Sequence, residues 1–568
     1  MNKNLALLFL TALLSGCSGE IVNKNSDIVE GYGITTDSGM VVSAHREGSV
    51  IGIEIMKKGG NAVDAAVATG FALAVCYPEA GNIGGGGFML IRTGAGMCEV
   101  IDYREKAPLF ASADMYLDKL GNVTEGLSLE THLASGVPGS VDGMIAAHKK
   151  YGKLPFREVI QPAIDLAEKG FPVTAEQSAD FNANRAHFIE RNRSLPAFVK
   201  DSLWKAGDTL IQKDLAETLI RIRDNGREGF YSGITARRII SEMKRGNGII
   251  SEIDLNEYRS VSRIPVTADY KGFKIITVPP PSGGGIILIQ LLGMVEPYPL
   301  RDWGFHSQKT IHLIVEAERR AYADRSEYMG DPDFMKVNAG QLTAKKYILG
   351  RMSTFDEKSA SLSREISPGS PGTETSEETT HYSVVDADGN AVAVTTTLNG
   401  TFGNSIVADS TGFLLNNEMD DFSVKPGIPN MYGLVGGESN SVQPGKRMLS
   451  SMTPTIVEKE GKLFLVAGSP GGSTIPTSVF QVITNVIDFD MNIQQAVDGG
   501  RFHHQWLPDN IIFEKNALDS LLVQKLAEMG HELKSRSAIG RVNAIQILSD
   551  GKRSGGADKR GNNPACGY

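Results

Sequence analysis

Two runs rich in β-branched and aromatic residues, His381 to Val385 and Ala391 to Thr397, flank the turn-forming Asp386-Ala387-Asp388-Gly389-Asn390 and predict a hairpin of two buried strands. The approach to that hairpin is of a different kind. Pro368 to Glu378, PGSPGTETSEE, holds almost nothing that can pack into a core. A solvated tail therefore runs straight into a strand that opens on Thr379-Thr380, and the junction marks a candidate site of chain cleavage.

Upstream, Val41 to Ala44 predicts a strand, and Gly48 to Gly59 and Asn61 to Val75 predict helices, with Asn61 a candidate N-cap and Asp64 in the first turn. The Ala-rich pattern AVDAAVATGFALAV predicts a helix packed closely on several sides. Pro78 ends it, and Gly81-Asn82-Ile83-Gly84-Gly85-Gly86-Gly87 leads into a strand over Phe88 to Arg92. These glycines match no phosphate-loop pattern and are read as allowing close backbone packing. Glu99 to Pro108 predicts a strand leaving the sheet with Asp102, Arg104 and Glu105 at its end, where composition alone favours a solvated rim.

From Pro138 to about Lys346 the pattern is helical, near Gly139 to Tyr151, Pro162 to Glu168 closed by Gly170, Lys213 to Asp224, Thr235 to Met243 and His312 to Tyr328. Pro279 to Gly285 interrupts it and introduces the apolar helix Ile286 to Met294. Beyond the hairpin come a loop through the 420s to 440s, strands Thr455 to Glu458 and Leu463 to Ala467, a Gly-rich turn from Gly468 to Ser473, and a helix Thr477 to Phe489. No internal repeat is present, and the long helical stretch suits one layered domain better than an appended module.

Composition narrows the partners. At 568 residues, 41% hydrophobic and 22% charged, the chain can bury a large core. Its net charge of −9 argues against nucleic acid, which needs clustered Lys and Arg. Lys3, the apolar run Leu5 to Leu14 and Leu14-Ser15-Gly16-Cys17 predict residues 1–16 as a signal peptide, too short to span a bilayer. The ending resembles a bacterial lipobox, in which Cys17 is lipidated; an ordinary cleavage site ahead of a cysteine is the alternative. Residues 17–40 are expected to form a tether, and the body to be periplasmic or outer-membrane-associated, touching membrane through lipid only. Cys76, Cys98 and Cys566 then permit at most one disulfide.

Cleavage of Glu378–Thr379 would give Thr379 a hydroxyl nucleophile and a free α-amine, whose unperturbed pKa is about 7.7–8. A threonine hydroxyl needs an adjacent base, and its own amine can supply one. A Ser-His-Asp site competes, but there is no GxSxG elbow and the ten histidines fall in no triad spacing. His503-His504 raises the idea of a metal, yet no HExxH accompanies it, so structural roles are favoured and no cofactor is expected.

Thr379-Thr380-His381-Tyr382-Ser383-Val384, together with Thr397-Leu398-Asn399, Asn416 to Phe422, Ser450-Ser451-Met452-Thr453-Pro454, Gly468 to Ser473, Asp102-Tyr103-Arg104-Glu105 and the ending Gly567-Tyr568, resembles the γ-glutamyltranspeptidases over nearly the whole mature chain. The resemblance implies an α+β fold, the four-layer αββα sandwich of N-terminal nucleophile hydrolases. It would be formed jointly by a large subunit, 41–378 after the tether, and a small subunit, 379–568, cut from one precursor. Thr379 would be the nucleophile and Thr397 would orient it, with Gly471 and Gly472 as the oxyanion hole.

A γ-glutamyl group ends in a zwitterion. Arg104 would take its α-carboxylate, helped by Ser450 and Ser451, and Asn399, Glu418 and Asp421 would accept from its α-amine. Phe422 to Ser450 resembles a lid loop, with Tyr432 as the closing side chain. The implied activity is hydrolysis and transfer of γ-glutamyl groups, with glutathione as donor and water, amino acids or dipeptides as acceptors. The alternatives are a cephalosporin (glutaryl) acylase, a poly-γ-glutamate hydrolase, and an unprocessed, inactive surface lipoprotein.

Overall fold

The predicted hairpin forms as Thr380–Val385 and Ala391–Thr397, with Thr380 opposite Thr396 and Val385 opposite Ala391. The computed structural model describes residues 28–334, 339–369, 380–561 and 564–568; Thr379, the Glu378–Thr379 bond, most of the tail before it, residues 1–16 and Cys17 lie outside them. Among the described residues the hairpin occupies the middle of an eight-stranded antiparallel sheet. Its order is Val29–Gly31, Ala565–Gly567, Met40–Val42, the hairpin, Gly86–Arg92, Cys98–Asp102 and Val261–Arg263. A second, seven-stranded sheet runs Thr35–Thr36, Arg553–Ala557, Asn543–Ile547, Lys462–Gly468, Thr455–Lys459, Phe273–Thr277 and Val266–Tyr270.

Strand alternation sorts the core into layers. Phe88, Leu90 and Ala393 meet Ile276, Ile456, Val466 and Ile545 between the two sheets. Met89, Ile91, Val392 and Val394 point the other way, onto a layer that includes helices Ala62–Cys76 and Phe156–Lys169. Ile275, Val457 and Leu465 face helices Gly284–Val295, Gln308–Tyr328 and Ile475–Ile487. The fold is thus the expected αββα sandwich.

Helix Ala62–Cys76 is buried along its whole length, beyond the several sides its alanine pattern predicts, and Asn61 caps it in a reciprocal box with Asp64. Removing such a cap costs about 1 kcal/mol. The glycine run behaves as read. A Cβ on Gly85 would lie 1.9 Å from the Thr397 carbonyl oxygen, and one on Gly87 2.3 Å from that of Thr395, so only glycine lets these strands approach.

Several expectations need correction. From Ile28 onward the presumed tether is structured: Val29–Gly31 pairs with Ala565–Gly567, and Thr35–Thr36 pairs with Arg553 and Ser554. The helix assigned to Pro162 onward begins at Phe156, because the stripe Val159, Ile160, Ala163, Ile164, Ala167 holds it against the core with Pro162 inside. Helix Ala175–Arg191 escaped the pattern because only Gln177, Ser178, Phe181 and Phe188 of its seventeen residues are buried. The supposed solvated rim is interior: Asp102, Arg104 and Glu105 are all buried. Cys76, Cys98 and Cys566 are unpaired, and no helix among the described residues is long and apolar enough to cross a membrane.

Candidate active site

The site grows from the end of the strand Ala391–Thr397. Thr397 pairs with Gly86, and a Cβ on Gly86 would fall 2.6 Å from Glu105 Oε2, so this glycine brings the Arg104-Glu105 corner against the strand end. Asp102 Oδ1 accepts from the Arg104 backbone N–H at 2.9 Å and fixes the corner. Thr397 Oγ1 accepts from the Asn399 N–H at 2.7 Å, which helps hold Asn399 in a left-handed conformation, φ 70°.

Asn416 ties the next segment down. Its amide donates to the Gly84 and Gly136 carbonyls at 2.8 Å, and its Oδ1 accepts from the N–H of Glu418 at 3.1 Å. The short 3₁₀ turn Glu418–Asp421 is thereby set beside Arg104. The Arg104 guanidinium donates to Glu418, to Asp421 Oδ2 at 2.5 Å and to Glu105 Oε2 at 3.1 Å, and its remaining bonds include the Met448 and Leu449 carbonyls.

Three carboxyl groups and one guanidinium are therefore enclosed without solvent contact. Burial, reinforced by the charge of Glu418, pushes Glu105 well above the usual carboxylate range, with Arg104 opposing. Burial likewise raises Asp421 strongly and Glu418 less, again against Arg104. Glu105 and Glu418 share a side-chain hydrogen bond, while Asp421 Oδ1 has no hydrogen-bond partner among the described residues. A buried acceptor without a donor is costly, and an ammonium group would satisfy it. The expected division of labour therefore starts from direct ion pairs: the cation and the acids assigned to opposite ends of a zwitterion are bonded to each other.

Ser450 and Ser451 are buried just after the carbonyls that Arg104 touches. Ser450 Oγ accepts from the Met452 N–H, and Ser451 Oγ accepts from Arg325 at 3.0 Å. Tyr432 donates its hydroxyl to Asn399 Oδ1 at 2.9 Å, which ties the loop after Phe422 to the segment that follows Thr397. Asp420 accepts from the Met431 N–H at 3.2 Å and anchors that loop.

The glycine turn comes from the second sheet. A Cβ on Gly468 would fall 2.3 Å from His381 Nδ1, so Gly468 lets the strand Lys462–Gly468 lie against the strand Thr380–Val385. Gly471 and Gly472 have φ 132° and 61°, conformations that suit glycine. No backbone acceptor among the described residues takes either N–H. Gly471 and Asn399 line one cavity, and Thr380 and Pro470 line a smaller one beside it.

Of the predicted site residues that are described, Arg104, Glu418 and Asp421 bond to one another, Thr397 and Tyr432 both bond Asn399, and Gly471 shares a cavity with Asn399, while Ser450 and Ser451 bond Met452 and Arg325; Thr380 is the nearest described neighbour of Thr379 in the chain. Sequence reasoning assigned no role to Glu105, although it lay inside a quoted motif, and missed Arg325 and the framing amide of Asn416. Arg325 lies in a helix whose charged residues Glu316, Arg319, Arg320 and Asp324 are also buried; nothing in its pattern separates it from a surface helix. The histidines are internally bonded. His503 contacts Thr477 and Gln505, His504 contacts Asp509, and burial lowers the pKa of His503 to about 3 and of His504 to about 4. A buried group of possible metal-ligand geometry, His312, Glu316 and His531, sits elsewhere, but His312 and His531 bond to each other at 2.8 Å and Glu316 pairs with Arg319 and Arg320.

Residues 48–568 match the family model described as gamma-glutamyltranspeptidase. The chain is 46% identical over 561 residues to the glutathione hydrolase proenzyme of Escherichia coli, covering 97% of each. It resembles the crystal structure of a cephalosporin acylase from Bacillus halodurans with TM-score 0.82 and 25% identity, over 97% of this chain and 99% of that one. It also resembles the gamma-glutamyltranspeptidase of Helicobacter pylori at 45% identity and TM-score 0.58; 96% of that chain corresponds to 59% of this one. The chain belongs to the gamma-glutamyltranspeptidase family.

Proposed function

We propose that the protein is a self-processing enzyme that cleaves the γ-glutamyl amide bond of glutathione and related compounds and passes the γ-glutamyl group to water or to an amine. The observation that carries this reading is the buried set of Arg104, Glu418 and Asp421, which brings a cation together with acids, one of whose oxygens, Asp421 Oδ1, has no bonding partner among the described residues. A γ-glutamyl donor presents a carboxylate and an ammonium on a single carbon, and both halves would find partners there. Residues 17–378 and 379–568 would be the two subunits of the processed enzyme.

In the precursor, the Thr379 hydroxyl attacks the Glu378 carbonyl, the peptide bond gives way to an ester, and water hydrolyses the ester to free the Thr379 amine. In turnover that amine takes the hydroxyl proton as the oxygen attacks the γ-carbonyl. The developing oxyanion lies at the Gly471 and Gly472 N–H groups, donors of a type that contribute about 10²–10³-fold in rate. The C–N bond breaks, the amine product departs with the proton, and a γ-glutamyl ester of Thr379 remains. Thr397 holds the nucleophile in line, and Tyr432 closes the lid onto Asn399.

A glutaryl donor lacks the ammonium that the acid-rich set suits, which weighs against the acylase alternative. A lid over the site weighs against a bulky polymer substrate. The leader sequence supports lipidation at Cys17 and a periplasmic or outer-membrane location. The test compares wild type with Thr379→Ala on a denaturing gel and with γ-glutamyl-p-nitroanilide: wild type should give two chains and activity, the variant one chain and none. A wild type that stays one chain would leave the inactive-lipoprotein reading standing.

A further inference from the structure

Two adjacent glycines at positive φ have no side chains to lock their dihedrals, so the turn at Gly471 and Gly472 keeps its shape only through the bonds its neighbours make. Its own segment closes it from one side. Thr474 donates to the Gly471 carbonyl twice, from its N–H at 3.1 Å and from its hydroxyl at 2.6 Å, and the Thr477 hydroxyl donates to the Thr474 carbonyl at 3.0 Å. The Ser473 carbonyl is held from elsewhere: the Tyr322 hydroxyl, 151 residues away in sequence, donates to it.

Tyr322 is buried in the helix Gln308–Tyr328. Its ring stands edge-on to His503, with centroids 5.4 Å apart and planes at 85°, which fixes where the hydroxyl points. Burial raises the pKa of that hydroxyl, against the charge of Arg325, so it keeps its proton, and His503, lowered to about 3 by burial, stays neutral beside it. Three residues on, the same helix face sends Arg325 to Ser451 Oγ at 3.0 Å. One helix therefore grips both the glycine turn and the serine pair. The position of an oxyanion donor matters at the scale of such a bond: its N–H must lie about 2.7–3.1 Å from the developing charge, and a displacement of about 1 Å can cost a hundredfold in rate. Ser473 is the middle residue of the three-residue turn Gly472–Thr474, so fixing its carbonyl limits the rotation left to Gly472.

We propose that Tyr322 is a positioning residue of the oxyanion turn: through the Ser473 carbonyl its hydroxyl holds the Gly472 N–H on the developing charge, and with Arg325 it makes the helix Gln308–Tyr328 the brace of the reacting end. The inference rests on the γ-glutamyl-transfer reading above. Tyr322 acts through the turn and not on the substrate. Its effect belongs to the states that carry an oxyanion, in self-cleavage, ester formation and ester hydrolysis, and leaves ground-state binding of the donor alone.

The test uses processed full-length enzyme with γ-glutamyl-p-nitroanilide as donor and two inhibitors. Glutamate fills the donor site without an oxyanion. In 2-amino-4-boronobutanoic acid the boron accepts an electron pair from the Thr379 oxygen, whose proton passes to the Thr379 amine, and becomes a tetrahedral anion. Tyr322→Phe keeps the ring against His503 and removes only the hydroxyl. It should lower kcat by roughly tenfold, the scale of one hydrogen bond, weaken the boronate about as much, slow self-cleavage on a gel time course by a similar factor, and leave donor KM and glutamate inhibition unchanged. Wild-type kcat and boronate affinity would overturn the assignment, and so would equal losses for glutamate and the boronate, which mark a general disturbance of the site. If Tyr322→Phe gives no processed enzyme, 3-fluorotyrosine at position 322, a stronger donor of nearly the same shape, decides: kcat and boronate affinity should move together with glutamate unmoved, and no movement in either refutes the role. Absence of p-nitroaniline release in wild type would sink the proposed activity instead.

Discussion

Two charged sets of the molecule, the buried cluster around Arg104 and the cavity wall that holds Glu79 and Arg541, are built on opposite rules. Around Arg104 every charge is fully enclosed and bonded to an opposite one across segments far apart in sequence, 104–105 and 418–421. Around Glu79 the cation is about one-third exposed, and its acid partner is Glu176, while Glu79 is buried and bonded to its own backbone N–H and Gln177, with Oε2 alone left without a partner among the described residues. An enclosed set that gains its missing partner only from a ligand is suited to recognising one donor group. In the open set the buried acid stands apart from the cation and answers to pH.

Arg104→Ala should break that contrast most severely. It leaves Glu105, Glu418 and Asp421 buried without their cation, a loss of about 3–5 kcal/mol. We expect donor KM to rise at least a hundredfold while self-cleavage persists; unchanged kinetics with γ-glutamyl-p-nitroanilide would remove Arg104 from the carboxylate role. Gly471→Ala comes next, in the wall of the open set's cavity. Its φ of 132° and a Cβ 2.6 Å from Thr474 Oγ1 force the turn to move. A displaced oxyanion donor should lower kcat by about 10²–10³ with little change in donor KM.

Glu79→Gln separates the two sets by stability. Burial raises Glu79 to about 8, so between its unfolded value of about 4.3 and 8 the folded protein holds a proton that the unfolded chain does not. That contribution is present at low pH and is lost as pH rises through 8. Thermal melts should therefore show the glutamine variant gaining on wild type by roughly 4 kcal/mol between pH 5 and pH 8.5. A pH-independent difference would mean that Glu79 is already ionised. Tyr432→Phe has the smallest expected effect. Loss of its 2.9 Å bond to Asn399 should change the ratio of transfer to hydrolysis by a few-fold, the scale of one hydrogen bond of about 1 kcal/mol. An unaltered product ratio would make the loop a cover without function.

The contrast also marks what could be read from the chain. The hairpin, the buried alanine helix and the glycine run follow from local pattern, because each encodes its environment in consecutive residues. The enclosed set was legible through short motifs, although composition put Arg104 and Glu105 on a solvated rim; charge predicts exposure unless a partner is known, and the partners lie more than 300 residues away. The open set was not legible. Glu79, Glu176 and Arg541 share no spacing, and helix Ala175–Arg191, which carries Glu176 and Asp180, buries too few apolar residues to announce itself.

The central claim is that Thr379 becomes a free N-terminal nucleophile. Intact-mass analysis of the purified protein, before and after rapid quenching with a γ-glutamyl donor, tests it most directly. The account predicts a small subunit beginning at Thr379 that gains the mass of one γ-glutamyl group on quenching, and no gain in Thr379→Ala. A cut at another bond, or an acyl group carried by the large subunit, would contradict it.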